Sequence, residues 1–240
     1  MKQENWLDVD SLRGGNFVDS KSFPALMRKV FVWMTLALSI TAITAYGVAT
    51  TPSLIMAILT NKAMFWGLII AEFALVFAVS GAINRLSLAT ATLLFVLYSI
   101  VNGATLSVIF LAYSATAIVK TFLITAGTFG VMALVGYTTK TDLTSIGKLL
   151  FMALIGIIIA TVVNMFVGSA GLDLICSYVG VLIFVGLTAY DTQKIKQMCM
   201  QAPDASETMQ KLALLGALSL YLDFVNLFLY LLRLFGNNKD

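Results

Sequence analysis

Seven times along its 240 residues this chain runs for about 20 residues with almost no charge. The runs lie at 28–50, 63–84, 88–111, 117–137, 148–167, 173–192 and 212–235. Each has the length that an α-helix needs to cross a hydrocarbon core of about 30 Å. Inside such a core every backbone N–H and C=O must be satisfied within the protein, and a continuous apolar run does that by coiling into a helix. The expected fold is therefore all-α, a polytopic membrane protein with seven transmembrane helices. Composition agrees: 60% of the residues are hydrophobic and 11% are charged, where a soluble domain carries about a quarter charged residues. The prolines, Pro24, Pro52 and Pro203, all fall outside the runs, as uninterrupted helices require. Ser22 followed by Pro24 marks a helix start with proline in the first turn. Most connections are short, so neighbouring spans pack antiparallel in one bundle. The layout is a cytoplasmic N-terminal tail (1–27), a seven-span transmembrane domain (28–236) and a C-terminal tail (237–240).

Lysine and arginine orient the bundle. The N-terminal tail and the loops after the second, fourth and sixth runs carry Lys2, Arg13, Lys21, Arg28, Lys29, Arg85, Lys140, Lys148, Lys194, Lys196 and Lys211. The opposite side has Lys62, Lys120, Arg233 and Lys239. This bias places the N-terminus in the cytoplasm and the C-terminus outside. The first 27 residues mix acids with bases and do not read as a signal or transit peptide. Between the sixth and seventh runs, Asp204 and Glu207 have the spacing of a capping box, which starts the last helix near Ala205.

Several chemistries are excluded. The chain has no histidine, which removes Ser-His and Cys-His catalysis and the HExxH zinc motif. Cys176 and Cys199 lie at opposite ends of one run and cannot pair with each other. A net charge of +3 is too small to argue for nucleic acid. No enzymatic arrangement emerges: Tyr190-Asp191 matches half of an intramembrane aspartyl protease signature, but Tyr221-Leu222-Asp223 lacks the Gly-x-Gly that should precede the second acid. A retinal protein would need a lysine within its last run.

The exceptional residues are acids at membrane depth: Glu72, Asp191 and Asp223. An ionisable side chain in a bilayer is expensive and marks a function by default. At 1.5 Å per residue, Asp223 lies about 12 Å from the cytoplasmic boundary and Asp191 about 4 Å from it. Helix tilt, about 20° on average, together with a shift in the span boundaries can close a gap of that size, so the two can meet in the cytoplasmic half. Two carboxylates in a poorly hydrated site cannot both ionise cheaply, so such a pair shares a proton and titrates as a unit. Fully ionised, Asp191 and Asp223 form a hard-oxygen site for a divalent metal such as calcium. Asn226, at i+3 from Asp223, shares its face and adds an amide. Arg85, level with Asp191, is placed to neutralise it. Glu72, near mid-depth, is either helix glue or a second cation step.

The segments GLTAYDTQKIK (186–196) and ALSLYLDFVNLFLYLLRLFG (217–236) resemble the paired signatures of the Bax inhibitor-1 family, and FPALMRKVFVWMTLALSITAITAYG and EFALVFAVSGAINRLS resemble its bacterial branch. The resemblance implies six spans around a central seventh and a calcium-permeable leak that responds to pH. The family's aspartate dyad falls on Asp191 and Asp223, and Arg85 is the candidate for its arginine latch. Calcium is then a permeant ion rather than a cofactor, and no cofactor is expected. The eukaryotic branch suppresses cell death, and a bacterial member binds and restrains a membrane protease. A non-conducting regulator that binds a membrane protease or a death factor is thus the alternative to a channel. The chain lacks the lysine-rich C-terminal tail of the eukaryotic branch, which points to a bacterial plasma membrane.

Overall fold

The computed structural model describes residues 22–200 and 206–236. Those residues form nine helices: α1 Ser22–Ala49, α2 Pro52–Thr60, α3 Lys62–Ala82, α4 Leu88–Leu106, α5 Ile109–Ala112, α6 Ala115–Thr138, α7 Thr144–Val167, α8 Ala170–Met200 and α9 Glu207–Phe235. Seven spans are long and apolar enough to cross a membrane, with α4 and α5 forming one of them. The protein is an all-α polytopic membrane protein.

The last helix is central. In its most apolar stretch 67% of the residues are buried, against 6–33% for the other six spans. It packs against α1, α4, α6 and α8. Spans α3 and α7 are the outermost, each only 6% buried. Their outward side chains, such as Phe73 on α3 and Phe151 on α7, suit a hydrocarbon surround, where exposed apolar area carries no penalty.

The helix starts follow local chemistry. Side chains of Asn61, Ser87 and Ser114 cap α3, α4 and α6 by accepting hydrogen bonds from backbone N–H groups in their first turns. Pro24 sits in the first turn of α1. That helix begins at Ser22, within the stretch assigned to the tail on sequence. At its other end α7 stops on Gly168, which adopts a left-handed conformation (φ 67°) that suits glycine.

Two features depart from the sequence reading. The connection after the first span contains α2, an apolar nine-residue helix with proline at its start and Ile55 and Ile58 buried. In addition, α8 runs to Met200, eight residues past the expected end at 192. Hydropathy falls at Gln193, Lys194 and Lys196, but nothing before Pro203 breaks a helix. Polarity ends the apolar run without ending the coil, so Asp191 lies inside a helix and not at its rim. The start expected for α9 near Ala205, with Asp204 as cap, falls on positions outside the described residues. The last helix is described from Glu207 onward.

Candidate functional site

Asp223 occupies the middle of the central helix and is 5% exposed. Its Oδ2 is buried with no hydrogen-bond partner. Helices α8 and α9 pack side by side, and Asp223 lies within electrostatic reach of the Asp191 carboxylate on α8. Asp191 is half-buried, and the Lys194 ammonium, one turn along the same helix, acts on it with opposite charge.

The backbone around Asp191 is held by close approaches that only small residues permit. A Cβ at Gly136 on α6 would run into the Ala189 carbonyl. One at Gly147 on α7 would lie 2.5 Å from the Tyr190 ring. Both neighbours therefore press on α8 immediately before the acid, as small residues allow in membrane bundles. On the other side of Asp191, buried Gln193 clasps the loop between α6 and α7: its Oε1 accepts from Leu143 N at 2.8 Å and its Nε2 donates to Thr141 O at 2.8 Å. Lys196 donates to Tyr137 O at 2.7 Å and lies 5.1 Å from that ring's centre. Asp191 thus sits in a braced segment, 189–196, rather than on a free helix end. In the braced loop Asp142 is exposed, and hydrogen bonds from Thr144 hold its carboxyl below the ordinary aspartate range.

The expected Arg85 latch is not formed. Arg85 is exposed in the turn after α3. Among the described residues the one ion pair is Arg233–Asp173 at 3.7 Å, towards the other end of the bundle. The turn is nevertheless tied to α9 by other groups. Lys211 Nζ donates to Leu86 O at 3.1 Å, and Glu207 Oε1 accepts from Leu88 N at 2.9 Å. The link between this loop and the last helix runs through backbone atoms of the loop and not through the arginine. Asn226 also departs from expectation. Its Nδ2 donates to Leu222 O one turn back at 2.8 Å, so that donor is spent on its own helix and not on the dyad.

A second polar group lies across the helix. Tyr221 is two residues from Asp223, hence about 200° around the α-helix, on the opposite face. The Tyr221 hydroxyl is 2.7 Å from Thr41 Oγ1 on α1, and that threonine donates its own proton to Ser99 O on α4 at 2.9 Å. Thr41 has one proton, so Tyr221 is the donor in the shorter bond. The ring packs edge-on against Phe95 and Tyr98, at 5.9 and 5.6 Å between centres. Gly103 lets α4 approach this corner of α1: a Cβ there would lie 2.6 Å from Thr41 O. Beyond Tyr98 come Asn102, whose Nδ2 is 3.4 Å from the Tyr98 hydroxyl, and Glu72, within hydrogen-bond reach of Thr105. Sequence reasoning found Glu72 but missed Thr41, Tyr98, Asn102 and Tyr221, because neutral polar residues in an apolar run look like packing residues. The two-residue offset between Tyr221 and Asp223 was the available signal.

A family model described as "Inhibitor of apoptosis-promoting Bax1" matches residues 24–240, which takes in all seven spans and every acid discussed above. The chain belongs to the Bax inhibitor-1 family. Relatives extend over nearly the whole domain. The inner membrane protein YbhL of Escherichia coli (strain K12) is 50% identical over 215 residues, covering 89% of this chain and 92% of its own. A protein of Borreliella burgdorferi is 49% identical over 214 residues, covering 89% of this chain and 92% of its own. One from Deinococcus radiodurans is 40% identical over 214 residues, with 89% and 90% covered. Membership accords with the seven spans and with the sequence signatures around Asp191 and Asp223. It makes the chain an integral membrane protein of a Bax inhibitor-1 type that bacteria carry.

Proposed function

We propose that this Bax inhibitor-1 family member is a pH-responsive, calcium-permeable leak of a bacterial inner membrane, with Asp191 and Asp223 as its sensor. The observation that carries the reading is the unpartnered, buried Asp223 oxygen at the centre of the bundle, within electrostatic reach of a second carboxylate. A carboxylate inside a membrane protein with no counter-charge and no hydrogen bond is costly unless it holds a proton or a cation. Two of them near each other take up one proton between them readily and a second less readily, so their combined charge changes in steps as pH changes. The charge of the pair biases the packing of α8 against α9. Two ionised acids repel and favour separation or a bridging divalent cation; a shared proton favours contact. The buried, unpartnered Asp223 oxygen suits a closed form in which that acid carries a proton of its own. The orientation that goes with this reading has the N-terminus in the cytoplasm, following the lysine and arginine bias.

Purified protein in liposomes, with calcium entry followed at a series of pH values, tests the reading. Calcium entry should depend on pH, and Asp191→Asn or Asp223→Asn should flatten the dependence. An absence of protein-dependent calcium entry at every pH would remove the leak and leave a regulator that acts by binding a membrane protease or a death factor.

A further inference from the structure

The groups around Glu72 play no part in the sensor described above, and they lie on the other face of the central helix from Asp223. Their hydrogen-bond accounting is lopsided. Thr41 gives its proton to Ser99 O, and Tyr221 gives its proton to Thr41. Asn102 turns its Nδ2 to the Tyr98 hydroxyl. Thr105 lies within reach of both Glu72 and Val101 O, the latter at 3.3 Å, and its single proton serves only one at a time. The Tyr98 O–H and the second Asn102 N–H have no acceptor among these bonds, yet two oxygens are still left over. Glu72 Oε1 is buried and unpartnered, and so is Asn102 Oδ1 on a side chain only 7% exposed. Among the described residues the one ion pair is Arg233–Asp173, so no basic side chain neutralises Glu72. The Glu72 charge acts on the Tyr98 and Tyr221 hydroxyls, which places these three groups in one neighbourhood, and Asn102 joins it through its hydrogen bond to Tyr98.

A lone buried carboxylate is satisfied by a proton or by a cation, but a proton on Glu72 would leave the Asn102 oxygen unmet, whereas one hard cation satisfies both oxygens. We propose that Glu72, Asn102 and the Tyr98 hydroxyl line a second cation site between α3 and α4, separate from the aspartate pair, that takes calcium or sodium through oxygen ligands alone. One carboxylate, one amide oxygen and one or two hydroxyls form a set of low charge and incomplete coordination. The ion there keeps part of its water, and the site binds weakly. Weak binding is what a step along an ion path requires, because the ion must also leave. The site does not depend on the leak reading: a non-conducting protein can hold a cation here to satisfy the same orphaned oxygens.

Equilibrium binding of radioactive calcium to the full chain in lipid nanodiscs tests the proposal, with Asp223→Asn as the background so that the aspartate pair is disabled. In that background a saturable calcium site should persist with a dissociation constant on the order of 0.1–1 mM, the range of low-charge calcium sites. Glu72→Gln should remove it, and Asn102→Ala should weaken it several-fold. Asn102→Asp adds a second carboxylate and should tighten calcium at least tenfold. That variant answers the question even if Glu72→Gln does not fold. Sodium added at rising concentration separates the two occupants: displacement of calcium at matching concentrations assigns the site to sodium, and indifference assigns it to calcium. Unchanged calcium binding in Glu72→Gln, or in Asn102→Asp, would overturn the proposal. So would an infrared carboxylic-acid band from Glu72 that calcium does not diminish, since that acid would then be satisfied by a proton.

Discussion

Tyr221 and Asp223 are two residues apart on one helix, both buried at the centre of the bundle, yet their surroundings differ in kind. The tyrosine hydroxyl is saturated: it donates to Thr41, which donates onward to Ser99 O, and two aromatic rings fix its orientation. The aspartate has an oxygen with nothing to bond. A buried polar group with its partners in place holds helices together. One without them stores a demand for a proton or an ion. The same helix therefore packs one face as an anchor, against α1 and α4; under the proposed function the other, towards α8, is the responsive face.

Mutations that break this contrast should fall in a definite order. The largest effect is expected at Gly136, where α6 meets the backbone of α8 beside Asp191. Gly136→Val drives a branched side chain into the Ala189 carbonyl and should destabilise the bundle by about 3 kcal/mol, the upper part of the range for overpacking, measured by reversible unfolding in detergent. Next is Gln193→Leu, which removes the bonds to Leu143 N and Thr141 O in a partly exposed loop and should cost about 1–1.5 kcal/mol. It should also raise hydrogen exchange in the loop at 139–143. On the anchoring face Tyr221→Phe removes the bond to Thr41 and should cost about 0.6 kcal/mol, the average measured for hydrogen bonds between membrane helices. The matching change on the responsive face, Asp223→Asn, removes an unsatisfied charge-bearing group of the same size and should leave stability unchanged or slightly increased. A loss at Asp223→Asn as large as that at Tyr221→Phe would erase the distinction between the faces.

The smallest effect is expected at Asp142. Hydrogen bonds from Thr144 hold this exposed carboxyl below the ordinary aspartate range. A carboxyl shifted down contributes above its unfolded value, near pH 4, and loses that contribution as pH falls through the folded value. Its titration lies entirely on the acid side, far from neutrality. Asp142→Asn should therefore leave any pH response between pH 6 and 8 untouched, as read by calcium entry into liposomes.

The spans were legible because a bilayer admits one solution for a long apolar run, and the acids stood out because charge there is rare. What escaped had the opposite character. Helix α8 outlasts its apolar run, since Gln193, Lys194 and Lys196 change polarity without changing coil propensity. The expected role of Arg85 rested on shared depth, which says nothing of direction: the side chain is exposed, and Lys211 and Glu207 secure the loop instead. The anchoring face depends on Thr41, Ser99 and Tyr221, which lie on three different helices and meet only after folding. Gly136 and Gly147 carry no pattern of their own. Their meaning comes from what approaches them, and that is a tertiary fact.

The central claim is that Asp191 and Asp223 respond to pH as one unit, and a double-mutant cycle on calcium entry tests it most directly. The protein, Asp191→Asn, Asp223→Asn and the doubly substituted variant are placed in liposomes, and calcium entry is followed across the neutral pH range. Each single change should flatten the profile and the double change should flatten it no further, because removing either carboxyl already abolishes the coupled titration. Independent, additive effects of the two substitutions, or single variants that keep the full pH response, would contradict it.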